Sequence, residues 1–135
     1  MPPKKNVSIL VADDSSSMRS ALARFLRQAG FRVITANDGQ DALDALLAKP
    51  YDMVVSDWDM PRLSGLELLK SVRSEQRLRR LPFLMTTVKQ GRKDIEQAIK
   101  AGVSDYIVKP FSAKVLVEKV ERLLQAAENA DPGHS

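Results

Sequence analysis

The chain has 135 residues, 44% hydrophobic and 28% charged, with a net charge of +4 and a pI near 9.5. That length predicts one domain, and the balance of apolar to charged residues excludes a disordered chain. There is no cysteine, which removes disulfide and thiolate chemistry.

The opening residues Met1–Asn6 are polar and lead into no apolar run of secretion-signal type. No stretch approaches the roughly 18 apolar residues of a membrane span, so a cytoplasmic protein is expected. Five short apolar runs then alternate with five segments of helical period. The first run is Val7–Ala12, followed by a helix predicted over Ser16–Ala29, where Met18, Leu22, Phe25, Leu26 and Ala29 recur at steps of three and four. Arg32–Ala36 is a second strand before a helix over Gln40–Ala48, and Met53–Ser56 a third before Leu66–Glu75. Phe83–Thr87 precedes a helix over Lys93–Ala101. Tyr106–Val108 precedes one over Ala113–Ala127, with Leu116, Val120, Leu123 and Ala127 on one stripe. Gly30 and Gly102 read as helix stops and Ser112 as a helix start. Residues 1–6 and 129–135 read as tails on a domain spanning 7–128.

The apolar runs are mostly continuous rather than alternating, as expected for parallel strands covered on both faces. Fivefold β–α alternation predicts an α/β fold of three layers around an open parallel sheet. Such sheets bind ligands beyond the carboxyl ends of their strands. The chemistry is therefore sought there.

Asp13 and Asp14 end the first predicted strand, and Asp57 ends the third, with Asp59 two residues on. Singly, each aspartate suits a cap or a turn. Converging at neighbouring strand ends, the anions would repel or take up protons unless a hard divalent cation such as Mg²⁺ joined them. The fourth strand ends in Thr86 and Thr87 and the fifth in Lys109-Pro110. A hydroxyl and an ammonium on that rim are what phosphoryl oxygens require. Alternation alone leaves open which threonine faces the site. Pro110 admits a cis bond that would fix how Lys109 is presented. Basic residues cluster at Arg77–Arg80 and Lys89–Lys93 without interleaved aromatics. They read as solvated faces rather than a nucleic-acid surface, and the charge suits an acidic protein partner.

Together, Asp13-Asp14, Asp57-Trp58-Asp59-Met60-Pro61 with Gly65–Leu69, Leu81-Pro82 followed by Thr87, and Ala101-Gly102 leading to Tyr106–Phe111 resemble the receiver domains of bacterial response regulators. Within that family the pattern is most similar to stand-alone chemotaxis regulators of the CheY type, from about Val7 to Leu124. The resemblance implies strand order 2-1-3-4-5. It implies a two-component phospho-acceptor rather than a conventional enzyme. Asp57 would become an acyl phosphate, Asp14 would bind Mg²⁺ directly, Asp13 would reach it mainly through water, and the Asp59 carbonyl would complete the ligands. Lys109 would pair with a phosphoryl oxygen, Thr87 would swing onto the phosphoryl group, and Tyr106 would follow inward. Ile95, Ile99, Tyr106, Val108, Lys119 and Arg122 would form the partner face.

The resemblance also implies a sensor histidine kinase upstream of a monomer. Downstream it implies a protein target, either the flagellar motor switch or a histidine phosphotransfer protein in a relay. A receiver fragment of a larger regulator has the same signature. Two positions depart from the CheY pattern: Asp59 stands where an asparagine is usual, and Val88 where a small residue is usual. Lys89 is placed to pair with Asp59. Asp57-Trp58-Asp59 also matches the D-x-D of phosphohydrolases, but that pair follows a first strand in chains long enough to carry a cap. A nucleotide or flavin site would want a phosphate loop after the first strand, where Asp13 and Asp14 would repel phosphate.

Overall fold

The computed structural model describes residues 4–130; the outer parts of both predicted tails, 1–3 and 131–135, lie outside the described residues. Lys4–Asn6 form one turn of 3₁₀ helix. Then β1 (Ser8–Ala12), α1 (Ser16–Gln28), β2 (Arg32–Ala36), α2 (Gly39–Ala48) and β3 (Met53–Asp57) follow in turn. They are succeeded by α3 (Gly65–Ser74), β4 (Phe83–Thr87), α4 (Arg92–Ala101), β5 (Asp105–Val108) and α5 (Ala113–Asn129). All strand pairs are parallel, in the order β2-β1-β3-β4-β5.

The pleat sends alternate residues to opposite layers. Ile9, Val11, Val55, Leu84 and Ile107 pack against Leu22 and Leu26 of α1 and Leu116, Val120 and Leu124 of α5. Leu10, Val54, Phe83 and Met85 meet Leu46 of α2, Leu68, Leu69 and Val72 of α3, and Ala98 of α4 on the other face. The continuous apolar runs of β3 and β4 are buried at every position. Each fully buried Leu or Ile contributes about 1.5–3 kcal/mol by leaving water. The edge strand β2 pairs only with β1, and only Val33 and Ala36 in it are buried. Coverage on both faces therefore fails there, because no strand flanks its outer side. The α5 stripe also differs from the expected one. Leu124, a full i+4 step beyond Val120, is buried, while Leu123 flanks the core.

Local signals set the element ends. Ser15, Ser64 and Ser112 each accept a backbone N–H as N-caps of α1, α3 and α5. Gly102 closes α4 at φ +95°, a left-handed conformation that glycine adopts without a Cβ clash. Gly65 opens α3 against the third strand's end: a Cβ there would stand 2.1 Å from the Asp57 carbonyl oxygen. That close approach seats α3 directly beneath the acidic rim.

Candidate functional site

Asp13 follows β1 and Asp57 ends β3, and the two strands are neighbours in the sheet. Their carboxylates meet that of Asp14, with one oxygen from each of the three lying within 4.8 Å of the others. Asp13 is fully buried and Asp57 nearly so, whereas Asp14 is exposed. The backbone shapes this crevice. Asp13 Oδ1 accepts the Ser15 N–H at 2.9 Å, Asp57 Oδ1 accepts the Trp58 N–H at 2.8 Å, and Arg19 Nη1 donates to the Asp13 carbonyl at 2.9 Å.

Lys109 follows β5 across a cis bond to Pro110. Its Nζ stands 3.2 Å from Asp57 Oδ1 and 3.3 Å from Asp13 Oδ2, one cation spanning two carboxylates. Burial pushes the Asp57 carboxyl above the usual carboxylate range, and the Asp13 charge adds to the rise. The Lys109 ammonium and the Trp58 N–H work against it. Three carboxylates against one ammonium leave net negative charge in a partly buried pocket. Hard oxygen donors of this kind fit Mg²⁺, which binds one or two carboxylates directly and can reach a third through the waters it keeps.

The two threonines divide. Thr86 lies in register with Asp57 and Ile107, which directs it to the α1–α5 layer. It is fully buried, and its Oγ1 has no partner among the described residues. Thr87 alternates to the layer of Met85, where its Oγ1 accepts the Lys89 N–H at 3.0 Å. Tyr106 shares that side, donating its hydroxyl to the Lys89 carbonyl and meeting Trp58 edge-to-face at 6.4 Å. Burial pushes its phenol pKa up, with the Thr87 side chain acting in the opposite sense.

Asp59 lies outside the three-carboxylate cluster; its side chain is 67% exposed and pairs with Lys89 at 3.8 Å. Lys89 also lies over the Trp58 ring, at 5.6 Å. Val88 is 65% exposed beside it. Ile99 is exposed, Ile95, Tyr106 and Val108 are half-buried, and Arg122 is exposed. Lys119 differs from the expected free rim cation: it is half-buried and bonded to Asp105 Oδ2 at 3.0 Å. The turn of α5 that carries it faces the first residue of β5, so its charge is already paired.

Sequence reasoning missed two arginines. Arg19, one turn into α1 from its cap Ser15, sits where an i+4 spacing could have flagged it. Arg62 carries no such signal. It has φ +68°, rare for a residue with a Cβ, and its guanidinium reaches Asp38 Oδ2 at 3.2 Å and Asp41 Oδ1 at 3.4 Å. This ties the loop after β3 to the start of α2.

Among known proteins, the family profile for the response regulator receiver domain matches residues 9–121. The chain is 43% identical over 120 residues to chemotaxis protein CheY of Pseudomonas aeruginosa, covering 88% of this chain and 97% of that one. It is equally identical over 122 residues to chemotaxis protein CheY-3 of Vibrio cholerae, covering 90% and 94%. The solved structure of V. cholerae CheY4 superposes with a TM-score of 0.83 at 32% identity, covering 87% and 98%. The receiver domain of a P. aeruginosa sensor histidine kinase superposes with a TM-score of 0.82 at 28% identity, covering 88% and 98%. That structure has a magnesium ion coordinated in its active site cleft. Among the described residues of this chain, no helix is long and apolar enough to cross a membrane. With the strand order, the acidic rim and the bridging lysine all in place, the chain belongs to the response regulator receiver domain family.

Proposed function

We propose that this chain is a cytoplasmic chemotaxis regulator that takes a phosphoryl group from a histidine kinase onto Asp57 and docks on the flagellar motor switch. The single observation that carries the phospho-acceptor reading is Lys109 Nζ, held within 3.3 Å of both Asp57 and Asp13 in the three-carboxylate cluster.

In this reading, an Asp57 carboxylate oxygen attacks phosphorus while the bond from phosphorus to the donor nitrogen breaks, and the nitrogen keeps the electron pair. The Trp58 N–H and the Lys109 ammonium already engage Oδ1, which fixes the plane of the carboxylate. Once the charge of Asp57 has passed outward to the phosphoryl group, Lys109 follows it onto a phosphoryl oxygen. Asp13, Asp14 and Asp57, with the Asp59 carbonyl, would hold Mg²⁺, which supplies charge neutralisation for the carboxylates and the incoming oxygens. Thr87 then leaves the Lys89 N–H for the phosphoryl group, and Tyr106 follows into the space released. The face of α4, β5 and α5 is the readout.

The 43% identity to two chemotaxis proteins over nearly the whole chain favours the motor over a phosphorelay intermediate. The test is affinity with and without beryllofluoride, a stable phosphoryl mimic. Tightened binding to a flagellar motor switch protein supports the proposal. Tightened binding only to a histidine phosphotransfer domain assigns the chain to a relay instead.

A further inference from the structure

At the end of the sheet opposite Asp57, the segments that lead into β3 and β4 enclose an open cleft of about 450 Å³. Its walls include Lys49 and Tyr51 on one side and Arg77, Leu78, Arg80 and Leu81 on the other. Leu78 is buried and Tyr51 and Leu81 are half-buried, giving an apolar floor, while the three cations are exposed at the rim. Among the described residues, no carboxylate forms an ion pair with them. Among the described residues, Arg77 donates only to the Leu47 carbonyl, Lys49 lies over the Tyr51 ring, and Arg80 makes no ion pair. Asp52, the one acid on the walls, has its Oδ2 taken by the Ser8 N–H at 2.8 Å. The Arg77–Arg80 run therefore frames a cleft with a greasy base and a positive rim, rather than a flat solvated face.

We propose that this cleft docks an acidic segment of a protein partner, with an apolar side chain on the floor and carboxylates against Lys49, Arg77 and Arg80. Charge complementarity chooses the occupant: a cationic rim without such ion pairs attracts anions, and a floor of Leu and Tyr takes an aliphatic or aromatic side chain. A duplex nucleic acid offers a regular array of phosphates, whereas the base edges that could meet an apolar floor lie inside its grooves. The cleft is separated from Asp57 by the five residues of β3, about 16 Å at 3.3 Å per residue. That exceeds the screening length of about 8 Å at physiological salt, and neither Thr87 nor Tyr106 lines the cleft, so docking here is expected not to follow the phosphoryl state. The cleft serves as a tether that leaves the α4, β5 and α5 face free, and it goes beyond the phospho-acceptor reading without depending on it.

The test uses the full chain and a fluorescein-labelled decapeptide of Asp and Glu with a central Leu-Phe pair. Saturable binding should perturb amide resonances at Lys49–Asp52 and Arg77–Leu81, and beryllofluoride should leave the affinity unchanged. Lys49→Glu with Arg80→Glu should weaken binding at least about tenfold, a change of 1.4 kcal/mol. That double variant should keep the wild-type melting temperature, showing that it is folded. Replacing Leu-Phe by Ser-Ser in the peptide should also weaken binding. The proposal is overturned by absence of saturable binding, or by an equal loss in Arg92→Glu with Lys93→Glu, which would mean bulk charge alone. Tighter binding of a DNA duplex at the same residues would reassign the cleft to nucleic acid.

Discussion

The Tyr106 hydroxyl donates to the Lys89 carbonyl, while the N–H of the same Lys89 donates to the Thr87 hydroxyl. One residue of the β4–α4 loop thus engages both of the side chains proposed as the switch. A phosphoryl group that captured the Thr87 hydroxyl would break the second of these bonds and free the loop. Thr87→Ala should accept a phosphoryl group normally but lose the affinity gain for the partner. A gain in the 5–150-fold range typical of allosteric coupling should fall to within about twofold of unity. Partner titrations with and without beryllofluoride measure it; a wild-type gain in Thr87→Ala would move the switch to Thr86.

Asp59, Lys89 and Val88 crowd the mouth of the site. The Asp59 side of its pair with Lys89 is exposed to solvent, and such surface pairs are worth about 0.2–1 kcal/mol. Asp59→Asn and Lys89→Ala should therefore change the rate of phosphoryl loss by about 1.5- to 5-fold each, and the double variant should change it by less than their product. Val88→Ala should open the approach of water and shorten the phosphoryl lifetime. Fluorescence of Trp58, which lies beneath Lys89, follows the decay after a pulse of phosphoramidate. Unchanged rates in all three single variants would make these positions neutral.

On the proposed output face, Ile95 is half-buried and belongs to neither core cluster, while Ile99 is 64% exposed. Ile95→Ala should weaken partner binding yet cost less than the roughly 2–5 kcal/mol of a buried Ile→Ala change. Denaturant unfolding beside the binding assay separates the two effects. Lys119→Glu should remove the bond to Asp105 and set two like charges together, so part of its effect should appear as lost stability. Arg122→Glu, at an exposed position without that bond, should weaken binding more at low salt than at high salt.

Much of this architecture was legible in the residues, because burial on two faces leaves continuous apolar runs and helices repeat every three or four residues. β3 and β4 were readable to within a residue for that reason. Leu123 was mistaken for Leu124 because both leucines fit an amphipathic stripe, and only packing against β5 and α1 chooses between them. The acidic rim was legible because strand ends carry it. The Lys119–Asp105 pair was not, since it joins residues 14 apart whose meeting depends on how α5 lies across the sheet. Arg62 was invisible for a different reason: no sequence rule sends an arginine to positive φ.

The buried, raised carboxyl of Asp57 has a consequence for stability in metal-free buffer. A folded-state pKa above the unfolded value of about 3.9 means the fold binds this proton more tightly than the unfolded chain does. Its contribution is thus most favourable below about pH 3.9 and is lost as pH rises through the folded pKa. Asp57→Asn, which keeps the shape and removes the charge, should raise the melting temperature at pH 7, and the gain should shrink towards pH 4. Mg²⁺ should stabilise the wild type more than the variant. Thermal melts across this pH range check both signs; a lower melting temperature for Asp57→Asn at pH 7 would contradict the electrostatic account.

Intact-mass spectrometry after incubation with acetyl phosphate and Mg²⁺ reads directly whether Asp57 accepts a phosphoryl group. Wild-type protein should gain one base-labile phosphoryl group, the gain should stop when the metal is chelated, and Asp57→Asn should gain none. Full labelling of Asp57→Asn, or labelling of the wild type that persists in chelator, would rule out metal-dependent acceptance at Asp57.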